Sequence, residues 1–476
     1  MIKKLVVKFK TASPAVKASM ALLFANIILK GLSLISGPVF TRLMSTEQYG
    51  MVSTFTSWQS LLSVIFTLNL SQGVFNNGML DFKDNRDEFE FSLYAISSSI
   101  TVGLFIAFCF FSKEIETILE LPFALIIIMF IYFLFVPAYQ FWSGRQRYEY
   151  KYKALVCLTI AIALFSLVLG IVAVLEVKDT QTAVARVTVM EGINIVVGCF
   201  FSIYLAFKAR LKVRLKYCIY ALKFNLPLLP HYLSMYVLSS SDRIMITKMV
   251  NTTATAIYSV AYTVASVINI VWQSIEASLA PWIYEKLNEK DKQSVRKLTI
   301  RIILLFAFLC LFCTLFAPEI MAILAPQSYS AGIYVIPPVA AGVFFTAVYS
   351  LYMRIELFFK QTSFAAIATV IAALSNIVLN YIFIDLYGFV AAAYTTLACY
   401  ALLSLLHYFN VKKKGYSDII DNKAVLAISI SVILLSIIIS FLYSDFALRY
   451  FIIFALMVLV VYKRKVIFNV MKKEIH

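Results

Sequence analysis

The stretch ALVCLTIAIALFSLVLGIVAVL, residues 154–175, decides the fold of this chain, because it is 22 residues long, strongly apolar and free of charge. A helix needs about 20 apolar residues to cross the hydrocarbon core of a bilayer. Comparable runs follow one another along the chain, separated by short charged loops, and they do not alternate as the strands of a membrane barrel do. The sequence therefore predicts an all-α, polytopic membrane protein.

We place about 14 transmembrane helices along the chain. They cover residues 19–40, 51–72, 92–112, 121–142, 154–175, 187–207, 224–247, 254–279, 299–318, 332–353, 363–384, 388–410, 424–443 and 450–462. The composition agrees, since 62% of the residues are hydrophobic and only 14% are charged. The longest predicted loops, 73–91 and 280–298, are too short to build a soluble domain with its own core. We therefore expect the helices, and what they enclose, to carry the function.

The positive charge of the chain is distributed unevenly between its two predicted sides. With the N-terminus inside, the inward segments hold 33 of the 42 Lys and Arg residues, and the outward loops hold six. This bias follows the positive-inside rule, which explains the net charge of +17 without a nucleic-acid partner. We expect a multi-pass protein of the cytoplasmic (inner) membrane with both termini in the cytoplasm.

The order of the spans suggests two similar halves. We expect a basic N-terminus (1–18), a first six-helix bundle (19–223), a second six-helix bundle (224–410), an additional helix pair (411–462) and a basic tail (463–476). An even number of helices separates the two starts, so the halves share one orientation. Such parallel repeats are typical of transporters whose substrate site lies near the bilayer midplane.

The charged residues inside the apolar spans are the candidates for substrate binding. A charge at the bilayer centre costs about 2.5–3.5 kcal/mol, so it is retained where it has a partner or a task. Lys30 lies near the middle of the first span, and Arg243 lies near the outer end of the seventh. We expect these two cations to bind an anionic substrate. The alternatives are a buried ion pair or a deeply snorkelling side chain for Lys30, and a snorkelling side chain for Arg243.

Three titratable residues are candidates for binding a coupling ion. Asp242 lies beside Arg243, Glu191 lies early in the sixth span, and His231 lies near the inner end of the seventh. Each has a structural alternative: Asp242 could neutralise a cation of another helix, Glu191 could pair with Arg186, and His231 could be a hydrogen-bonded structural residue. A histidine is the side chain that most readily titrates near neutral pH.

Common catalytic and cofactor motifs are absent from the sequence. It contains no G-x-x-x-x-G-K-[ST], no H-E-x-x-H and no G-x-S-x-G pattern. The C-x-x-C pair of Cys310 and Cys313 lies inside an apolar run, where cysteines pack as small hydrophobic residues. We therefore expect no enzyme activity, no cofactor and no metal site.

Five patterns together resemble the polysaccharide (O-antigen-type) flippases of the multidrug/oligosaccharidyl-lipid/polysaccharide (MOP, MATE-like) exporter superfamily. They are GPVFTRLMSTEQYG at 37–50, LPLLP at 226–230 followed by SDR at 241–243, IYSVAY at 257–262, APWIY at 280–284, and YGFVAAAY at 387–394. The motif positions carried over are Pro38, Arg42, Tyr49, Gly50, Pro227, Pro230 and Tyr258. Each pattern is loose alone, and their order and spacing cover nearly the whole chain.

The resemblance implies a fold of two six-helix bundles around a central cavity, with two additional helices. It also implies a cargo, an undecaprenyl-pyrophosphate-linked oligosaccharide that moves from the inner to the outer leaflet. Membrane lipids, a polysaccharide polymerase and other assembly proteins are the implied partners. Alternating access would come from rocking of the two halves, and the missing ATPase motif favours coupling to a proton or sodium gradient or to removal of the product.

Two other functions compete with this interpretation. A drug or metabolite exporter of the same superfamily would place acidic residues in the cavity, whereas the charge nearest the midplane here is the ammonium of Lys30. A membrane polymerase or ligase would need a long outward loop, and the predicted outward loops are short. The sugar, the coupling ion, the oligomeric state and the polymer pathway stay open.

Overall fold

The structure is a computed structural model that describes residues 13–462. The described part of the chain is built of 18 α-helices and short 3-10 helices, without β-strands. The first twelve residues of the predicted N-terminal segment and the predicted tail 463–476 lie outside the described residues. Within residues 13–462, the expected all-α, multi-pass membrane fold is confirmed.

The helices follow one another through the chain with few residues between them. The first nine are α1 (Pro14–Leu43), α2 (Thr46–Thr67), α3 (Gly73–Asp81), α4 (Arg86–Phe110), α5 (Ser112–Leu119), α6 (Phe123–Tyr148), α7 (Tyr152–Glu176), α8 (Thr182–Lys208) and α9 (Leu215–Asn225). The other nine are α10 (Leu229–Met249), α11 (Thr252–Asn288), α12 (Lys292–Leu315), α13 (Ala317–Leu324), α14 (Ile336–Phe358), α15 (Thr362–Tyr387), α16 (Ala391–Lys413), α17 (Asn422–Phe441) and α18 (Phe446–Tyr462).

Eleven helices among the described residues are long and apolar enough to cross a membrane. The three remaining predicted spans coincide with α2, α10 and α18, which are helical over 22, 21 and 17 residues. Helices α2 and α10 are more polar than the others, and α18 is shorter. Helices dominate because lipid offers no partner for backbone N–H and C=O groups, which a helix satisfies internally.

The two longest segments between predicted spans, 73–91 and 280–298, are largely helical. Residues 73–81 form α3, and α11 continues past its apolar run to Asn288. Hydropathy marks where a helix meets lipid, whereas helix length depends on backbone hydrogen bonds that also form in water. The polar end of α11 is supported by an ion pair of 2.6 Å between Lys286 and Glu289.

The chain divides into two compact units. Unit 1 consists of the described part of Met1–Ser259 together with Leu324–Tyr329 and Thr369–Ala392. In this unit α8 packs against α6 and α7, α1 packs against α7, and α2 packs against α10. One buried cluster of unit 1 is rich in aromatic rings, with Phe75, Phe89, Phe141 and Tyr217 at its centre.

Unit 2 consists of Val260–Ile323, Ser330–Ala368 and the described part of Ala393–His476. Helix α12 packs against α14 and α17, and α14 also packs against α17. Helix α14 is the most deeply buried of the candidate spans. The division into bundles at residues 19–223 and 224–410, with an additional pair at 411–462, stays a prediction.

The outer faces of the long helices are apolar. Helix α7 exposes Leu164, Phe165, Val168, Leu169, Val172 and Leu175. Helix α17 likewise exposes Leu426, Ile430, Leu434, Ile438 and Phe441. Exposed apolar surface of this extent would drive a soluble protein to associate, and it is what contact with lipid tails requires. These faces are the expected lipid-facing surface of each unit.

Candidate functional site

A line of polar side chains runs along one face of α1. It consists of Ser19, Asn26, Lys30 and Ser33. Their spacing places them on the same side of an α-helix. All four are exposed, whereas Ala18 and Ala25 on another side of the helix are buried. The same exposed side also carries Leu23, Ile27 and Leu34, so polar and apolar residues alternate along it. We call its four polar positions the α1 stripe.

Lys30 lies within the α1 stripe as an exposed cation. Among residues 13–462, no carboxylate lies within salt-bridge distance of its ammonium, so the ion-pair alternative is not observed. A Cβ atom added at Gly31 or Gly37 on the same helix would meet no heavy atom within 4 Å. Protein atoms therefore leave space beside these two glycines, and the Lys30 side chain is exposed on the same helix.

The entrance to α10 is shaped by prolines. A short 3-10 helix, Leu226–Leu228, precedes α10, and Pro227 and Pro230 each lie in the first turn of their helix. Proline is well tolerated there because the N–H that it lacks would have no helical partner. His231 follows directly, and its Nδ1 atom is buried without a hydrogen-bond partner. The alternative that His231 is a hydrogen-bonded structural residue is therefore not observed at its Nδ1 atom.

Asp242 lies deep inside unit 1, where its carboxylate accepts hydrogen bonds from neutral groups. The Tyr258 hydroxyl donates to Oδ2 at 2.5 Å, and the Asn380 side-chain amide donates to Oδ1 at 2.7 Å. Asp242 is only 2% exposed. A buried carboxylate is costly unless it is hydrogen-bonded, and hydroxyl and amide donors can serve it in either ionisation state. The arrangement suits a group that exchanges an ion.

The network around Asp242 extends along α15. Asn376 and Asn380 are one helical turn apart and both are completely buried. The Ser241 hydroxyl donates to Asn376 Oδ1 at 2.8 Å, and Asn380 Nδ2 lies 3.2 Å from the same oxygen. The sequence signal for this network was the pair of amide side chains, Asn376 and Asn380, on one face of a largely apolar span. The sequence analysis missed both residues.

The motif segments of the resemblance meet in unit 1. A Cβ atom at Gly50 would lie 1.8 Å from the backbone oxygen of Thr252, so only glycine permits this approach. Beside it, the hydroxyls of Thr54 and Thr247 lie 2.6 Å apart, and those of Thr247 and Thr255 lie 2.7 Å apart. The close packing of α2 on α10 thus joins the segment ending in Tyr49–Gly50 to the segments that hold Asp242 and Tyr258.

The other motif positions of the first segment act at the end of α1. Pro38 lies inside the helix, and its carbonyl oxygen accepts hydrogen bonds from Arg42 Nη1 at 2.9 Å and from the Thr41 hydroxyl at 3.1 Å. Arg243, the second predicted cation, donates from Nη1 to the Ser239 carbonyl oxygen at 2.9 Å. These arginines reinforce local helix structure through their described hydrogen bonds.

Glu191 is a second buried acid of unit 1. Its Oε2 atom accepts a hydrogen bond of 3.0 Å from Asn194, one turn further along α8. In the described part of the chain Glu191 and Arg186 form no ion pair, so that alternative is not observed. The Arg186 guanidinium instead lies over the Phe40 ring, with its Cζ atom 3.9 Å from the ring centroid. Nor do hydrogen bonds or ion pairs join Lys30, Glu191 or His231 to Asp242 within residues 13–462.

Unit 2 contains a buried acid and base that the sequence analysis missed. His407 Nδ1 and Glu356 Oε2 are 2.8 Å apart, and Asn410 donates to Glu356 Oε1 at 2.7 Å. The side chains of His407 and Glu356 are each 1% exposed. The sequence signal was weak, because Glu356 follows the apolar core of its span and resembles an interfacial residue.

Two further acids of unit 2 are bound by arginines. Arg354 donates from Nε and Nη2 to Glu276 Oε1, at 3.0 and 2.8 Å. Arg449 forms a two-pronged contact with Glu319, at 2.7 Å from Nη1 to Oε2 and 2.6 Å from Nη2 to Oε1. Paired hydrogen bonds of this kind fix both partners strongly. The second pair ties the start of α18 to α13.

A third pair of unit 2 lies at the surface. Arg296 Nη2 donates to Asp421 Oδ2 at 2.6 Å, and the Ala424 N–H at the start of α17 donates to Oδ1 at 3.2 Å. The Arg296 hydrogen bond, followed by the Ala424 N–H, lowers the pKa of Asp421 below its ordinary value. Over residues 13–462, no group of three or more His, Cys, Asp or Glu side chains could hold a metal ion.

The comparisons with known proteins agree on one group of proteins. A family model described as "Polysaccharide biosynthesis protein" matches residues 15–287. The Haemophilus influenzae protein "Lsg locus putative protein 1" is 30% identical over 125 residues, which is 25% of this chain and 31% of that relative. The matched part therefore spans about a third of the relative's length.

Two solved structures share the arrangement of helices. "Lipid II flippase MurJ, inward closed conformation" superimposes with a TM-score of 0.67 at 17% identity, over 95% of this chain and 100% of that chain. A multidrug resistance MATE family transporter of the MOP superfamily, in an inward-facing conformation, gives a TM-score of 0.61 at 12% identity, over 83% of this chain and 98% of that chain. At these identities the likeness establishes a fold of the MOP type.

Proposed function

The chain belongs to the polysaccharide biosynthesis protein family, and we propose that it is a flippase for an oligosaccharide linked through pyrophosphate to undecaprenol. The cargo moves from the inner to the outer leaflet of the cytoplasmic membrane. Its polar, anionic head cannot cross hydrocarbon unaided, because lipid neither solvates charge nor offers hydrogen bonds. A protein surface that supplies both removes that barrier. Membrane lipids, a polymerase and other assembly proteins are the expected partners.

The α1 stripe is the observation that carries this proposal. It places a cation, an amide and two hydroxyls on one exposed face of a membrane-spanning helix. These polar groups are unfavourable against lipid tails and favourable against water or a polar ligand. Lys30 would attract the pyrophosphate, and Asn26, Ser19 and Ser33 can hydrogen-bond to phosphate or sugar oxygens. Arg243 is the second candidate cation for the same anion.

Asp242 is the favoured coupling group. Its described partners, Tyr258 and Asn380, are neutral, so the carboxylate can gain or lose a proton or a sodium ion without breaking an ion pair with either. The ion gradient would then drive alternating access, in which the substrate site opens first to one leaflet and then to the other. Glu191 and His231 are the other candidate groups for this coupling.

Removal of the protein from its cell, followed by lipid analysis, tests the proposal. Completed lipid-linked units should accumulate in the inner leaflet and be absent from the outer leaflet. Lys30→Ala should reproduce much of this defect, and Lys30→Arg should restore translocation because it keeps the charge. Normal delivery of the units to the outer leaflet, with no redundant transporter present, would contradict the flippase function.

A cation-coupled exporter of drugs or metabolites is the second candidate. The buried acids Asp242 and Glu191 favour it, because acidic groups attract cationic compounds as well as coupling ions. Lys30→Ala discriminates between the two functions. Loss of surface polysaccharide with unchanged drug tolerance supports the flippase, whereas lost tolerance with normal polysaccharide supports the exporter.

The orientation belongs to the same proposal. The bias of Lys and Arg residues favours an orientation with both termini in the cytoplasm. Single cysteines introduced at Lys178 and Lys290, on opposite predicted sides, can be labelled in intact cells with a reagent that does not cross membranes. The cysteine at position 178 should react and the cysteine at position 290 should not; the reverse pattern would overturn the orientation.

A further inference from the structure

Arg186 is a membrane-helix cation of unit 1 whose neighbours are aromatic. It lies near the beginning of α8, with its guanidinium carbon 3.9 Å from the ring centroid of Phe40 and 5.3 Å from that of Tyr49. Its Nη1 atom is also 3.8 Å from the sulfur of Met44. A thioether is a weak acceptor, so this contact leaves most of the hydrogen-bonding capacity of the guanidinium available.

No acid neutralises Arg186 within the part of the chain that the structure describes. Other arginines in both units do have carboxylate partners: Arg214 bonds to Glu88 at 2.9 Å, and Arg354 bonds to Glu276 at 2.8 Å. The acid nearest in sequence, Glu191, bonds to Asn194 instead. Arg186 is therefore a cation held in place by rings rather than by an opposite charge.

Ring contacts leave the donors of an arginine free. A guanidinium has five N–H donors in its plane, and the contacts of Arg186 with Met44 and Tyr49 leave some of these donors for a ligand. Attraction to the ring offsets only part of the cost of removing a cation from water. A planar cation with free in-plane donors is what binds a phosphate through two parallel hydrogen bonds.

A second, independent feature points to a ligand at the same place. Tyr329 is 1% exposed, and its hydroxyl is buried without a hydrogen-bond partner. Its ring meets Tyr49 edge to face, with centroids 6.2 Å apart. Tyr49 thus contacts both Tyr329 and Arg186. A buried hydroxyl without a partner costs free energy that an oxygen ligand would recover.

The position of these residues indicates which oxygen ligand to expect. Phe40 lies in the last turn of α1, Tyr49 in the first turn of α2, and Arg186 near the first turn of α8. Ends of apolar helices mark the level where lipid headgroups lie. On neighbouring turns Ile35 and Leu175 are exposed apolar residues suited to lipid tails. An anion at this level is most simply the phosphate of a lipid.

We propose that Arg186, supported by Phe40 and Tyr49 and joined by the Tyr329 hydroxyl, binds the phosphate of a lipid at this end of unit 1. The phosphate can come from a phospholipid of the bilayer or from the pyrophosphate of the carried lipid; the second source rests on the proposed function. In that case the site receives the head at the end of its passage, on the side opposite the cytoplasm.

Binding measurements on the purified full-length chain test the site. The probes are a short-chain polyprenyl pyrophosphate and dioctanoyl phosphatidylglycerol, each titrated in detergent and followed by native mass spectrometry. Arg186→Gln should weaken the binding of at least one probe by about tenfold to a hundredfold, the range expected for a charge-assisted hydrogen bond. Tyr329→Phe removes only the oxygen and should weaken the same probe by about threefold to tenfold.

Two matched variants separate the site from general effects of charge and folding. Lys178→Gln removes one exposed positive charge shortly before α8 and should bind both probes like the native chain. Arg186→Lys keeps the charge without the planar fork and should fall between native and Arg186→Gln. If Arg186→Gln does not fold, Tyr329→Phe carries the test alone.

The outcomes identify the source of the phosphate. Weakened binding of the pyrophosphate probe supports a site for the carried lipid, and weakened binding of phosphatidylglycerol alone supports a phospholipid site. Native affinity of Arg186→Gln and Tyr329→Phe for both probes would overturn the proposal. Failure of the proposed function would look different: cells that lack the protein and any redundant transporter would then deliver lipid-linked units normally, whatever Arg186 binds.

Discussion

Two buried acids of unit 1 and three acids of unit 2 are bound in different ways. In unit 1 the described partners of Asp242 are a phenol and an amide, and Glu191 accepts from an asparagine. In unit 2, Glu276 and Glu319 are bound by arginines, and Glu356 lies against a histidine. In their described contacts Asp242 and Glu191 thus accept from neutral donors, whereas the three acids of unit 2 contact basic groups. Glu90 of unit 1 belongs with the second set, because it pairs with Arg145 at 2.9 Å.

This difference indicates a division of tasks between acids of the same chain. A carboxylate bound to a base is locked in its ionised state, and removing either partner leaves an uncompensated charge. A carboxylate bound to neutral donors can change its ionisation while its partners stay in place. We therefore expect changes to Glu276, Glu319 and Glu356 to affect stability first, and changes to Asp242 and Glu191 to affect transport first.

The largest stability effect is expected from the Arg449–Glu319 pair. Glu319→Gln keeps the shape of the side chain and leaves the Arg449 guanidinium buried without its counter-charge, which should cost about 3 kcal/mol. The readout is thermal unfolding in detergent, followed by the fluorescence of the four tryptophans. If Glu319→Gln has the native melting temperature, the Arg449–Glu319 pair does not stabilise the protein.

The buried pair of Glu356 and His407 should give the next largest effect. Glu356→Gln weakens hydrogen bonds to His407 and Asn410, and we expect a loss of about 1.5–3 kcal/mol in stability. Translocation per folded molecule should stay near the native rate, because this acid is assigned a structural task. A translocation defect in a variant of native stability would instead place Glu356 among the coupling groups.

Asp242→Asn should show the opposite pattern. Asparagine keeps an oxygen for Asn380 and presents an amide to the Tyr258 oxygen, so stability should change by less than about 1 kcal/mol. Translocation should fall about tenfold or more, because the neutral side chain no longer exchanges an ion. The measurement is the fraction of lipid-linked units that reach the outer leaflet, with Ser239→Ala as an exposed control on the same helix.

Native translocation by Asp242→Asn would contradict the proposal that Asp242 is the coupling group. The test would then pass to Glu191→Gln and to His231→Asn, each measured in the same assay. A defect in one of them would move the coupling task within unit 1, and native rates in both would exclude all three candidate groups.

The smallest effect is expected from the exposed Arg296–Asp421 pair. Exposed ion pairs contribute little, so Arg296→Gln should leave the melting temperature at neutral pH almost unchanged. The pKa of Asp421 is lowered by Arg296, so what the pair contributes is present above the unfolded value of about 3.9 and is lost as pH falls below it. Melting temperatures of native and variant should therefore differ equally between pH 8 and pH 6; a difference that grows over this range would contradict the assignment.

Much of the candidate site could be recognised before the fold was known. Lys30, Asp242 and Glu191 were conspicuous because each interrupts an apolar run, where a charge is costly. Asn376 and Asn380 were missed because uncharged amides scarcely change the hydropathy of a span. Arg186 was considered only as a partner for Glu191, because the two residues are close in sequence along α8. Its actual neighbours, Phe40 and Tyr49, belong to other helices and could not be identified from sequence proximity.

The sequence by itself determined the solvent of this protein and, through it, the class of its fold. Apolar runs of spanning length must become helices, because hydrocarbon satisfies no backbone hydrogen bond. Only the tertiary structure decided the partner of each buried polar group. Asp242 and Asn380 are 138 residues apart in the chain, and Glu319 and Arg449 are 130 apart. Hydropathy shows where a charge in a span costs free energy. Only packing shows whether a neutral donor, a base or an aromatic ring offsets that cost.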